Sequence, residues 1–192
     1  RRDWTETQQL LIRQMFTDLW QAEARRKQLK SLMAKEITSD PALLRLVRLF
    51  GVRHVTAYAL AAVIGDIHRF RTPKQLVAYI GLMPKVASSG QKTRRGKLAR
   101  CGRKELRRML IQSAKSILRF NQEPIGRWAR QLAARKGFNF ATIGAARKLV
   151  VACWYLMQGR FIAMEEVSVR LTDKIRELSV YIPAKDIKSL GF

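Results

Sequence analysis

The chain has 192 residues, 47% of them hydrophobic, enough for one core-bearing domain with or without an arm and too apolar for global disorder. It carries 38 Lys+Arg against 14 Asp+Glu, a net charge of +24 with a pI near 11.3, and such a surface draws nucleic acid before it draws an anionic membrane. The longest apolar run, 149–157, is too short to span a bilayer, so no membrane partner is expected.

Residues 4–35 contain neither Pro nor Gly. Apolar residues recur there at helical spacing: Ile12, Met15, Phe16, Leu19, Ala22, Leu29, Leu32 and Met33. A helix of this span is about 45 Å long. It reads either as an arm that pairs with a second subunit, with Phe16 and Trp20 in contact, or as a long helix lying on its own domain. Ser39-Asp40-Pro41 ends it, because Asp40 can cap a new helix with Pro41 at its first position. That helix stops at Gly51, the next runs over 54–64 to Gly65, and Thr72-Pro73 opens another that ends at Gly81. Positions 85–102 read as a loop with Gly90, Gly96 and Gly102. Helices follow over 104–120, 125–136, 142–158 and 165–178, with Pro183 beginning a final turn. The helix over 142–158 is apolar almost all round and belongs in the core. No strand pattern and no internal repeat is visible, so the fold class is all-α. Three parts are expected: an arm over 1–39, a helical domain over 40–164 and a helical tail over 165–192.

No signal peptide is visible, and an opening on Arg1 rather than Met reads as a piece of something longer, expected in the cytoplasm and associated with DNA. Cys101 and Cys153 read as reduced thiols, and with His54 and His68 they make no metal-ligand spacing.

Two constellations carry function. Leu49-Phe50-Gly51-Val52-Arg53 joins two short helices and looks like a helix-hairpin-helix, whose turn aims backbone N–H groups at a phosphate. Arg53 stands where a second glycine is usual and can add a phosphate contact of its own. The second is the stretch 84–108, which holds ten Lys+Arg and one acid, Glu105. Its cations mark a nucleic-acid footprint. Within it sits Ser88-Ser89-Gly90. A serine attacks phosphorus only when a base takes its proton and cations offset the phosphate charge. The cations are present, but no Asp or Glu lies between Asp66 and Glu105. On the residues alone, the segment is a turn or a nucleophile.

Gly81-Leu82-Met83-Pro84, Ser88-Ser89-Gly90, Gly96-Lys97-Leu98, Gly102 and Leu106-Arg107-Arg108, in that order, resemble the C-terminal serine domain of the IS-one-ten insertion-sequence transposases, a family that includes bridge-RNA-guided recombinases. Ala145-Ala146-Arg147-Lys148-Leu149 with Phe161 fits the same domain, and the arm resembles the family's coiled-coil linker. The resemblance covers about 43–162. It implies that Ser89, or less favourably Ser88, forms a phosphoserine link to DNA during transposition. From the charge pattern and the turn, nucleic-acid contacts are expected from Arg53, Lys85, Lys92, Arg94, Arg95, Lys97, Arg100, Arg103 and Arg107. The resemblance also implies a separate RuvC-like domain with four acidic residues and Mg²⁺. Asp3 and Glu6 are too few to replace that domain, so no cofactor is expected within this chain, which should bind DNA without cutting it. DNA, a guide RNA and a second copy through the arm are the partners implied. Ala99 departs from the family pattern, which has a small hydroxyl residue there. The competing reading is a non-enzymatic nucleic-acid-binding helix-hairpin-helix module.

Overall fold

The computed structural model describes residues 4–89, 92–98, 101–160 and 168–181. The all-α expectation holds for the body, with eight α-helices among the described residues. Helix α1 (Glu6–Ser39) starts at a capping box, in which the Thr5 hydroxyl accepts from the Gln8 N–H and the Gln8 side chain accepts from the Thr5 N–H. Its 34 residues extend about 50 Å. Only Ala34 and Ile37 are buried, whereas Leu10, Leu11, Met15, Phe16 and Leu19 are exposed and Trp20 is 71% exposed. Most of its length is therefore exposed rather than laid on the body. Its last turns pack against α2 (Pro41–Arg48) and α3 (His54–Ile64), and before them Lys30 lies over the Tyr181 ring and Ser31 Oγ donates to the Tyr181 carbonyl at 3.3 Å.

Local signals place most of the remaining boundaries. Asp40 caps α2 by accepting from the Ala42 N–H at 2.7 Å, ahead of Pro41. Thr72 and Gln75 form a capping box on α4 (Pro73–Ile80), which Gly81 ends in the left-handed conformation. Then come α5 (Lys104–Phe120), α6 (Pro124–Lys136), α7 (Phe138–Met157) and α8 (Ser168–Ser179). Helix α7 begins four residues before the expected start, because Gly137 alone turns the chain from α6 into it. The residues 161–167 and 182–192, which include Phe161, the expected start of the tail helix and Pro183, lie outside the described residues.

The core is built on α7. It packs against α2, α4, α5 and α6, and buries Ala141, Ala145, Ala146, Leu149, Val150, Cys153 and Leu156. Each buried Leu or Val side chain stabilises the fold by about 1.5–3 kcal/mol. By length and composition α7 could cross a membrane, with a mean hydropathy of 1.3. That corrects the expectation that no segment could. Four neighbouring helices take up its apolar surface, so the composition is accounted for by a protein core.

The expected loop at 85–102 is instead an antiparallel ribbon, β1 (Pro84–Ser89) with β2 (Lys92–Leu98). Its ladder is made by backbone groups, and a run this polar offers no apolar alternation to read. The register shifts between Pro84 and Val86, next to a proline that has no N–H to give.

The ribbon leaves and rejoins the body through a glycine pair. Gly81 (φ +83°) and Gly102 (φ +96°) are both left-handed. A Cβ on Gly102 would stand 2.6 Å from the Tyr79 carbonyl oxygen, 2.8 Å from the Gly81 nitrogen and 2.9 Å from the Ile80 carbonyl carbon. A Cβ on Gly81 would collide with the Cys101 carbonyl. All of these obstacles are backbone and cannot swing aside. Gly102→Ala is therefore expected to destabilise the protein by about 3 kcal/mol, from left-handed strain plus overpacking. Urea denaturation reads this as a lower midpoint, and an unchanged midpoint would contradict it.

Candidate nucleic-acid interface

Residue Ser89 is the last ladder position of β1, paired with Lys92; behind it Ser88 pairs with Thr93, Ala87 with Arg94 and Val86 with Arg95. Strand positions alternate between the two ribbon faces, and cross-strand partners share one. The register therefore groups the positions of Ser89, Lys92, Ala87 and Arg94 on one face. Those of Ser88, Thr93, Val86 and Arg95 fall on the other. Lys85 and Lys97 also belong to the two strands, whereas Gly90 and Arg100 lie outside the described residues.

Two of the expected phosphate ligands also brace the root of the ribbon. Arg107 donates to the Cys101 carbonyl at 3.0 Å and to the Ile80 carbonyl at 3.4 Å, tying the two sides of the glycine neck together. Arg103, the N-cap residue of α5, donates from Nε to the Tyr79 hydroxyl at 3.0 Å. Arg69 lies over the Tyr79 ring at 4.7 Å. Hydrogen bonds from Arg103 and then Arg69 lower the Tyr79 pKa by favouring the phenolate. These groups position the ribbon and are already engaged within the protein.

At the α2–α3 turn, Gly51 takes φ +79° where a Cβ would stand 2.7 Å from the Ser113 carbonyl oxygen of α5. Both the turn and its contact with α5 require glycine. Arg53 is the N-cap residue of α3 but makes no side-chain cap. Its Nη2 instead meets Glu177 Oε2 of α8 at 2.7 Å. That carboxylate is 3.9 Å from Nδ1 of His54, in the first turn of α3. His54 is 7% exposed. Burial lowers its pKa; Glu177 opposes the shift, and Lys30 and Arg53 add to it. Lys174 of α8 donates to the Val47 and Leu49 carbonyls at 2.8 and 2.9 Å, neutralising the C-terminal end of α2. Around the turn lies a cleft of about 780 Å³, lined also by Lys30, Arg108, Gln112, Ser116 and Asp173. His68 stands elsewhere, on the short 3-10 turn Ile67–Arg69.

Sequence reasoning missed Glu177, Lys174 and Lys30, which reach the turn only through tertiary packing. It also missed a shallow groove on α5 lined by Lys104, Arg107, Arg108, Gln112 and Lys115. There the spacing of Lys104, Arg108 and Lys115 was a readable signal of one basic helix face. Cys101 is an exposed free thiol. Cys153 is buried, which pushes its thiol up to about 12, so it packs as an apolar residue. Among the described residues no group of three or more His, Cys, Asp or Glu could hold a metal ion.

Residues 44–129 match the family model described as transposase IS116/IS110/IS902 family. The matched span runs from α2 into α6 and includes the α2–α3 turn, the ribbon and all of α5. Over 150 residues the chain is 30% identical to a protein of Pseudomonas aeruginosa named "Probable family 20 transposase", covering 77% of this chain and 44% of that one. It is 36% identical over 110 residues to the transposase for insertion sequence element IS1111A of Coxiella burnetii, covering 56% of this chain and 30% of that one. The transposase for insertion sequence element IS1328 of Yersinia enterocolitica is 28% identical over 137 residues, covering 70% of this chain and 40% of the relative. The chain thus spans less than half the length of these relatives.

Proposed function

We propose that this chain is the DNA-binding, serine-bearing part of a transposase of the IS116/IS110/IS902 kind, with Ser89 as its nucleophile. One observation carries the reading. The transposase match spans the whole ribbon, and that ribbon's register sets Ser89 at its tip, opposite Lys92 and on the face shared with Arg94. Gly51 and the α2–α3 turn supply a helix-hairpin-helix contact to the DNA backbone.

In the reaction, a base takes the Ser89 hydroxyl proton while Oγ attacks a DNA phosphorus. The new O–P bond forms as the P–O bond to one deoxyribose breaks. The electron pair leaves with that deoxyribose oxygen, which accepts a proton. Attack by the hydroxyl of a second DNA end then reverses the exchange and frees Ser89. Lys92 and Arg94 offset the charge on the phosphate oxygens. The 192 residues alone bind DNA without cutting it, because the acidic residues that would help activate the hydroxyl belong to a separate domain. The ribbon cations suit an RNA backbone equally, which leaves room for a guide RNA. The exposed apolar side chains of α1, Met15, Phe16 and Trp20 among them, seat a second copy.

In the full-length protein, Ser89→Ala is expected to abolish covalent protein–DNA adducts on denaturing gels while duplex binding persists. Adducts that survive the substitution would contradict the assignment. Unchanged transposition would instead favour a module that binds nucleic acid without catalysing. Light scattering at micromolar concentration is expected to give a mass above one chain, and to give the single-chain mass after Phe16→Glu with Trp20→Glu. A monomeric unmodified chain would contradict pairing through the arm.

A further inference from the structure

We infer that Glu177 is a built-in competitor at the α2–α3 turn, its carboxylate holding the position that a nucleic-acid backbone phosphate takes on binding. The inference rests on the reading of this chain as a nucleic-acid binder. It adds a site-specific brake that this reading does not contain.

The first turn of α3 presents backbone N–H groups with no side-chain cap, a local positive pole. Arg53, the N-cap residue, adds a guanidinium there, and His54, 7% exposed, lines the same cleft. An anion is what this arrangement lacks, and Glu177 provides one, 2.7 Å from Arg53 Nη2 and 3.9 Å from His54 Nδ1. Glu177 is delivered by an anchored element. Ile175 and Leu178, on either side of it in α8, are 4% and 1% exposed, and Lys174 is bonded to the end of α2. The helix therefore stays in place when the carboxylate is exchanged. The exchange itself is easy, because the pair is open to water: the Arg53 side chain is 66% exposed and that of Glu177 35%. A phosphate offers more charge and more acceptor oxygens to the same donors. Binding at the turn must first displace Glu177, so the carboxylate lowers affinity for any polynucleotide regardless of sequence.

The test is the affinity of the 192-residue chain for a short random-sequence DNA duplex, read by fluorescence anisotropy at fixed salt. Thermal melts of each variant confirm that it is folded. Glu177→Gln is expected to tighten binding by about three- to tenfold, the scale of one part-exposed ion pair plus one helix-terminus charge. Asp173→Asn is the control. It removes the same charge from an exposed position of α8 lining the same cleft, and is expected to tighten binding by much less. In an Arg53→Ala background the Glu177→Gln gain is expected to vanish. Equal gains from Glu177→Gln and Asp173→Asn would overturn the inference, because a general loss of negative charge would explain both. A gain that persists without Arg53 would also overturn it. If Arg53→Ala left affinity and its salt dependence unchanged, the turn would not touch the duplex and the competitor would have nothing to compete for. None of these failures bears on Ser89, whose covalent adduct is a separate readout.

Discussion

Between α4 and α5 the chain leaves the helical body and returns to it through two glycines whose backbones touch. Gly81 and Gly102 sit in the left-handed region with no room for a Cβ on either. Arg107 bonds the carbonyls of Ile80 and Cys101 across the gap, and Arg103 holds the Tyr79 hydroxyl beside it. A two-stranded ribbon is at best marginally stable by itself. Its direction relative to the body is set where it is rooted. The placing of Ser89 depends on this neck, because the serine is the last paired position of β1 and has no helix of its own to hold it.

The net charge of +24 has two uses, which the structure separates. Part of it works inside the protein. Arg45, Arg107, Arg130, Arg147 and Lys174 all donate to main-chain carbonyls, including those of Leu156, Ile80, Asn121, Leu82 and Leu49. Several of these carbonyls lie at or just beyond helix C-termini, where orphan acceptors need a donor and the helix dipole favours a cation. Such residues hold short helices together in a chain with few acids to pair with. Other cations lie at positions of the ribbon strands, and along α5 Lys104, Arg108 and Lys115 line a surface groove. The composition alone counts both kinds as nucleic-acid ligands. Arg103 and Arg107 also hold the ribbon's root, and Arg53 at the turn is paired with Glu177.

Legibility followed the range of the interaction. Asp40-Pro41, Thr72-Pro73 and Gly81 placed helix ends in the sequence because capping is a contact among near neighbours. The apolar run of α7 marked the core for a similar reason. The ribbon could not be read, because its strands are stabilised by main-chain pairing and rooted by contacts between residues twenty or more apart, such as Tyr79 with Arg103. Glu177 was out of reach as well, 124 positions from the arginine it meets. The serine was noticed from its basic surroundings and its motif order. The ladder adds its register partner, Lys92, which no spacing rule names.

The account turns on whether Ser89 becomes bonded to DNA. The direct measurement uses full-length protein and a DNA substrate that traps the covalent intermediate. After nuclease and protease digestion, mass spectrometry identifies the peptide that carries the residual nucleotide. The account predicts the nucleotide on the peptide containing Ser88-Ser89, with fragmentation placing it on Ser89. A nucleotide on any peptide outside the ribbon, or a trapped reaction that leaves every peptide unmodified, would contradict it.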